Sequence, residues 1–469
     1  MAEMALEALV STLEGWPRIQ QLLYIAEHAP ALRQTAAKQA IQAIQACTSA
    51  VALYAHAWKL YNTDAADPIA FDEAWKEAVE ARTAQDRTKL YGELRMYQNN
   101  TIDESIRMAY HDLGRHYWHT GEMEEALLHF EKARDYFSTN EHALEMYLSA
   151  MEVALYLGQY ATAVAYADKA ESVVQTLPTI DFVVPGQTDA WRSVLAQGST
   201  DPSARGEPTT GSAAISALFR AGGGAGLRRV DVDERSGDAH EKVLPRINAV
   251  RMLGEWGDAS VHERLPTVRL DAVHASAYAD MANPIQFAWY AVLSALHVPP
   301  NEQRQRVSEL AEDAQFRCAT ESDQAPREVL QAFLVSNFSR TLAILARYTD
   351  AFALDRILGK ERTEKIMHAI MSRLLVCYLN AFSRCSLQGI ATAFGWALED
   401  TVQRVALLIR AGNLAARIDW HAQVVEMDES YATSQGPDTL WKNVCNAMAL
   451  RQRTTLAQKM SAAKCVQGD

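Results

Sequence analysis

Three histidines, His111, His116 and His119, lie on one stretch with helical apolar spacing. Neutral imidazole is the commonest zinc ligand, and a separation of three lets His116 and His119 share a helix face. A hydrolytic metal site needs more than two such ligands, and no His-x-His followed by a downstream Asp occurs anywhere in the chain. The expectation is therefore surface or internally satisfied histidines and no metal. Gly222, Gly223, Gly224 and Gly226 have the composition of a phosphate-cradling loop, but no Lys-Ser or Lys-Thr follows and no strand precedes, so a linker is expected. The six cysteines, Cys47, Cys318, Cys377, Cys385, Cys445 and Cys465, show no CxxC pair and no nucleophile signature. Their apolar helical surroundings predict buried, inert, reduced thiols. The chemistry-bearing residues thus assign no catalytic, metal or cofactor site, and the chain reads as a non-enzyme without a cofactor.

The whole-chain balance removes further classes. With 45 Lys and Arg against 58 Asp and Glu, the net charge is −13, the wrong sign for a global grip on nucleic acid or an anionic membrane. Glu3 and Glu7 stand where a secretory signal would carry basic residues, and no uncharged apolar run reaches spanning length, so a soluble protein is expected.

The elements behind these residues are helices. Leu, Ala, Glu, Gln and Lys dominate at a 3.6-residue apolar period, with few β-branched runs, which predicts a mainly α fold. At 469 residues, more than one packed unit is expected. Residues 1–100 read as an N-terminal helical region, with Trp16, Ile19, Leu22, Leu23 and Ile25 on one face. Over 101–180, Tyr110, Leu113, Gly114, Tyr117, Gly121, Ala126, Phe130 and Ala133 match a tetratricopeptide signature. A second copy follows 37 residues later with Tyr147, Ala150, Ala154, Gly158, Ala163 and Ala170. Small residues at Gly114, Ala126 and Ala133 let two helices approach while the aromatics fill the space between them.

Residues 181–242 read as a flexible Gly- and Pro-rich insertion; 9 of the 22 glycines fall between Asp181 and Pro245, too little apolar pattern to offset ordering entropy. Helical period resumes over 243–382. Residues 383–428 then lay out a winged helix: Ser386 caps a short helix that stops at Gly395, a second helix carries Val402, Val405, Leu408 and Ile409, and Leu414, Ile418, Val424 and Val425 fall in two extended runs around a polar turn from Asp419 to Ala422. A C-terminal assembly helix is expected over 437–466, with Trp441, Val444, Met448, Leu456 and Met460 as an apolar stripe. From Asp438 to Asp469 five basic residues meet two acidic ones, which singles this stretch out in an acidic chain.

Several segments carry a family likeness: Leu23 to His28, Ser105 to Arg107 leading into His111 to Gly114, Ala126 to Tyr136, and Leu414 to Asp419 preceded by Ile409 and Gly412. They resemble the PCI-domain family, in which a tetratricopeptide-like solenoid feeds a winged helix, and which builds the proteasome lid, the COP9 signalosome and translation initiation factor 3. The likeness is strongest to the signalosome members, with the proteasome lid counterpart and an initiation-factor subunit as alternatives. It implies a scaffold subunit of an assembly that removes Nedd8 from cullins and regulates cullin-RING ubiquitin ligases, the hydrolytic metal residing in another subunit. Implied partners are other PCI subunits (subunits 2 and 3 of that assembly), a bundle of C-terminal helices, and cullin-RING ligase components. The implied location is cytoplasm and nucleus, away from membranes. Nucleic acid is the weaker reading for the winged helix, because Glu399, Asp400, Arg404 and Arg410 cancel along its second helix. The preferred reading is protein contact through the winged-helix edge, with Leu414, Ile418, Val424 and Val425 as interaction residues and the exposed strand edge at Val424 and Val425.

Overall fold

The computed structural model describes residues 10, 12–63, 68–176, 236–259, 265–270 and 274–427. Two compact units emerge, one of Met1–Ser294, Glu312–Pro326 and Tyr348–Glu364, the other of Ala295–Ala311, Arg327–Arg347 and Lys365–Asp469.

In the first unit, α1 (Gly15–His28), α2 (Arg33–Cys47) and α3 (Val51–Thr63) form an initial layer. Ala36, Ala37 and Ala40 on α2 are fully enclosed, and this small-residue face lets Ile19, Leu22 and Ile25 of α1 pack directly on it. The 27-residue helix α4 (Glu73–Asn99) is capped by Asp72, whose carboxylate accepts from the Trp75 amide, yet it buries only Leu94.

The paired helices follow: α5 (Asp103–Thr120) with α6 (Met123–Ala133), then α7 (Asn140–Tyr156) with α8 (Tyr160–Thr176). Both turns need a left-handed residue, supplied by Gly121 (φ 85°) and Gly158 (φ 77°) at equivalent positions. At Gly114 a Cβ would come to 2.6 Å from the Phe130 ring, so the close approach of α5 and α6 depends on its absence. Leu113, Ala126 and Phe130 are fully enclosed there, as are Ala150, Ala154, Ala163 and Ala170 in the second pair. Tyr110 stays partly open, stacked on Tyr136 at 5.9 Å.

Helix α9 (Ser236–Asp258) lies along α8 and begins seven residues before Val243, inside the segment expected to be an insertion. A Cβ at Gly254 would meet Val164 at 2.7 Å, and Arg251 donates to Asp168 at 2.9 Å and to Glu171, so close packing and charge both fix this contact. Residues 177–235 lie outside the described residues, and with them the glycine cluster 222–226. Further along the chain, α10 (Pro284–His297) contributes Phe287 and Tyr290 to the core of this unit.

The second unit includes most of α11 (Pro300–Glu312), α13 (Ala325–Leu334) and α14 (Phe338–Ala353), and the C-terminal part of α15 (Gly359–Leu379); α12 (Ala314–Ala319) belongs to the first. The winged helix comprises β1 (Arg384–Ser386), α16 (Leu387–Phe394), α17 (Leu398–Arg410), β2 (Ala416–Asp419) and β3 (Val424–Met427). Ser386 caps α16, its hydroxyl accepting from the Gly389 amide at 3.1 Å. Phe394 is clasped by Phe338, stacked at 5.3 Å, by Tyr378 edge-on at 5.5 Å and by Trp396 at 4.6 Å. The three strands are antiparallel in the order β1-β3-β2.

Candidate protein-interaction surface

The strand order corrects one expectation. Val424 and Val425 do not form an exposed edge, because β3 is the central strand: Cys385 pairs with Val425 on one side and Ile418 on the other. The three residues of β1 occupy the position an incoming strand would take, and Arg384 locks the register with an ion pair to Glu426 at 2.7 Å. Val425 is fully enclosed and Leu414 and Ala416 are nearly so, which makes them the core of the wing. The edge strands are β1 and β2, and Ile418 lies on the latter.

Two residues that the sequence reading passed over face outward. Leu407 is 57% exposed on α17, in the same outward row as Glu399, Gln403 and Arg410. Trp420 is 65% exposed at the tip of the β2–β3 turn. Each carried a legible signal: a leucine in a polar helical row, and a tryptophan in an otherwise polar turn. Asp419 shapes that turn by accepting from the His421 and Ala422 amides at 2.9 and 3.2 Å. Arg404, counted earlier among the charges of α17, lies over the Trp396 ring at 4.7 Å and so braces the module. Phe382, 42% exposed, precedes β1. An edge strand beside large outward apolar side chains is suited to binding another protein. The expected assembly stripe at Trp441, Val444, Met448, Leu456 and Met460 lies outside the described residues.

Of the three histidines, His111 is buried and His116 and His119 are partly buried. His111 is buried against the Phe130 ring at 5.3 Å, with Nε2 3.6 Å from Glu145. Burial pushes its pKa down to about 4, outweighing the upward pull of Glu145. Burial also lowers His116 and His119. Among the described residues, no group of three or more His, Cys, Asp or Glu is placed to hold a metal. The cysteines differ from expectation: Cys47 and Cys318 are exposed and Cys377 and Cys385 only partly buried. Cys47 ends its helix and Cys385 lies in a strand, so neither is on an inward helical face. Burial raises the thiol pKa of Cys377 and Cys385, the opposite of nucleophile activation.

Two buried polar knots escaped the sequence reading because their partners are far apart in the chain. Arg246 donates to Glu152 at 2.6 Å and, through two nitrogens, to Asp280 at 3.0 and 3.1 Å. Burial raises the pKa of Glu152 despite this partner. Asp355 accepts from the Tyr290 hydroxyl (2.7 Å), Gln286 (2.8 Å) and the Ile357 amide (2.9 Å). Burial raises its pKa, against the pull of those donors. All of these donors come from the chain itself, so the three carboxylates serve the packing.

Helical pairs in one unit and a winged helix in the other define the fold class: a helical-repeat protein with a winged helix. The family described as 26S proteasome subunit RPN7 matches residues 72–187, which contain the paired helices. Over most of its length the chain is similar to proteins described as COP9 signalosome complex subunit 1. It is 25% identical to COP9 signalosome complex subunit 1 of Arabidopsis thaliana over 92% of this chain and 84% of that protein. It is 24% identical to the Neurospora crassa subunit 1 over 87% and 82% of the two chains. Subunit 1b of Drosophila melanogaster is 25% identical over 78% of this chain and 58% of its own length. Among the described residues, no helix is long and apolar enough to cross a membrane.

Proposed function

We propose that this chain is a non-catalytic scaffold subunit of a COP9 signalosome, the assembly that by resemblance removes Nedd8 from cullins and regulates cullin-RING ligases. The observation that carries this reading is the winged helix with edge strands β1 and β2 and with Leu407 and Trp420 turned outward, in a chain similar over 92% of its length to COP9 signalosome complex subunit 1 of Arabidopsis thaliana. In this role the winged helix contacts other PCI subunits, by resemblance subunits 2 and 3. Residues 437–466 join a bundle of partner helices, and the particle works in cytoplasm and nucleus. The proposed division of labour is helical pairs for packing, and a winged helix and a tail for assembly.

Mass spectrometry of a native pull-down tests the reading. Recovery of the remaining signalosome subunits is the expected result, together with no cleavage of a neddylated cullin by the isolated chain. A second reading, a proteasome lid subunit, is favoured by the RPN7 match at residues 72–187. Recovery of lid subunits in place of signalosome subunits would establish it.

A further inference from the structure

A cleft of about 280 Å³ opens on the paired helices, lined by residues of α6, of the turn that follows it, of α7 and of α8. Its apolar surface comes from Leu128, which is 42% exposed, from the buried Met146, and from the rings of Tyr147 and Tyr166, 6.2 Å apart. The Tyr166 hydroxyl donates to Glu131 at 2.5 Å, which fixes the ring and engages that carboxylate. Burial raises the phenol pKa of Tyr166, and the bond to Glu131 raises it further, so the hydroxyl keeps its proton as donor.

The charged groups at the rim are Lys132, Arg134 and Lys169 against Glu131 and Asp135, so cations are in excess. Lys169 holds its ammonium 5.1 Å from the centre of the Tyr166 ring. Among the described residues none of the three cations forms an ion pair with a carboxylate. A cationic rim around an aromatic floor is unusual in a chain of net charge −13, and it selects for an anion carrying an apolar group. The volume sits at the small end of ligand cavities, enough for one large side chain with the backbone that flanks it.

We propose that this cleft docks an acidic linear segment of a partner protein, with one aromatic side chain against Leu128, Met146 and Tyr147 and flanking carboxylates on Lys132, Arg134 and Lys169. The site is separate from the winged helix and stands independently of the function proposed above. The probe is a fluorescein-labelled peptide of aspartate and glutamate around a single phenylalanine, titrated with the full chain and followed by anisotropy. Saturable, salt-sensitive binding is expected. The combined variant K132Q/R134Q/K169Q weakens it about tenfold, the sum of three exposed charge contacts. Tyr147→Ala weakens the phenylalanine peptide while leaving a peptide with alanine at that position unchanged. If the combined variant melts lower than the parent, the three single variants carry the test, each expected to weaken binding about twofold. Absence of saturable binding, binding unaffected by loss of the cations, or equal competition by an oligothymidylate would overturn the proposal.

Discussion

Large apolar side chains are seated differently in the paired helices and in the winged helix. Between α5 and α6 the signature positions Leu113 and Phe130 are enclosed by neighbours close in sequence, and the contact is set by a missing methyl group at Gly114. Met108 and Leu128 are the outward apolar residues of that region, one on each helix of the first pair. In the winged helix, Leu407 and Trp420 stand on the second helix and on the wing, the two parts such a module turns outward, beside strands with unpaired edges. Apart from the cleft at Leu128, the first region closes on itself, whereas the second presents what another chain can cover. Substitutions at the enclosed positions of the helical pairs should therefore register as stability, and those on the winged-helix surface as assembly.

The largest stability effect is expected at Arg246. Arg246→Met leaves Glu152 buried without its counter-charge and should cost about 3–5 kcal/mol in chemical denaturation. Replacing both, as R246M/E152L, should recover much of that loss; a double variant as unstable as the single one would show that packing matters more than charge.

Acid is the next lever. Unfolded, the His111 imidazole takes up a proton below its ordinary pKa of 6.5, while in the fold burial holds protonation off until about 4. The resulting contribution is full above pH 6.5 and is lost as pH falls toward 4, about 3 kcal/mol across that window. His111→Gln should flatten the dependence of unfolding free energy on pH over this interval. An unchanged slope would mean that the buried imidazole is not the group responsible.

Smaller effects separate the two regions further. Gly114→Ala should cost about 1–3 kcal/mol, since a Cβ 2.6 Å from the enclosed Phe130 ring forces repacking. Phe130→Leu in the same chain should relieve part of the strain, read as a coupling in a double-mutant cycle. Ser386→Ala removes the cap of α16 and should cost about 1 kcal/mol by thermal melting.

Much of this organisation was readable in the residues. The helical pairs were, because Gly121, Gly158, Gly114 and Phe130 each do a job that few other residues can do at that spacing. The cap of α16 was readable for the same reason, since Ser386 and its amide partner lie three residues apart. The strand β1 was not: Arg384-Cys385-Ser386 has no strand-like pattern, and its pairing with β3 depends on residues some forty positions away. Missing it turned a central strand into an apparent edge. The Arg246–Glu152 pair, separated by 94 residues, was invisible for the same reason, and the inward Val425 could not be told from the half-buried Val424 by type alone.

The most direct measurement compares the double variant L407A/W420A with the parent chain, each co-expressed with the other signalosome subunits. Size-exclusion chromatography would give the fraction incorporated, and melting of the isolated chain would report its stability. Both side chains are more than half exposed, so stability should change by no more than about 0.5 kcal/mol. Incorporation should weaken at least about tenfold, as expected when a tryptophan anchor is removed from an interface. A variant that melts like the parent and still incorporates fully would contradict the assembly role assigned to the winged helix.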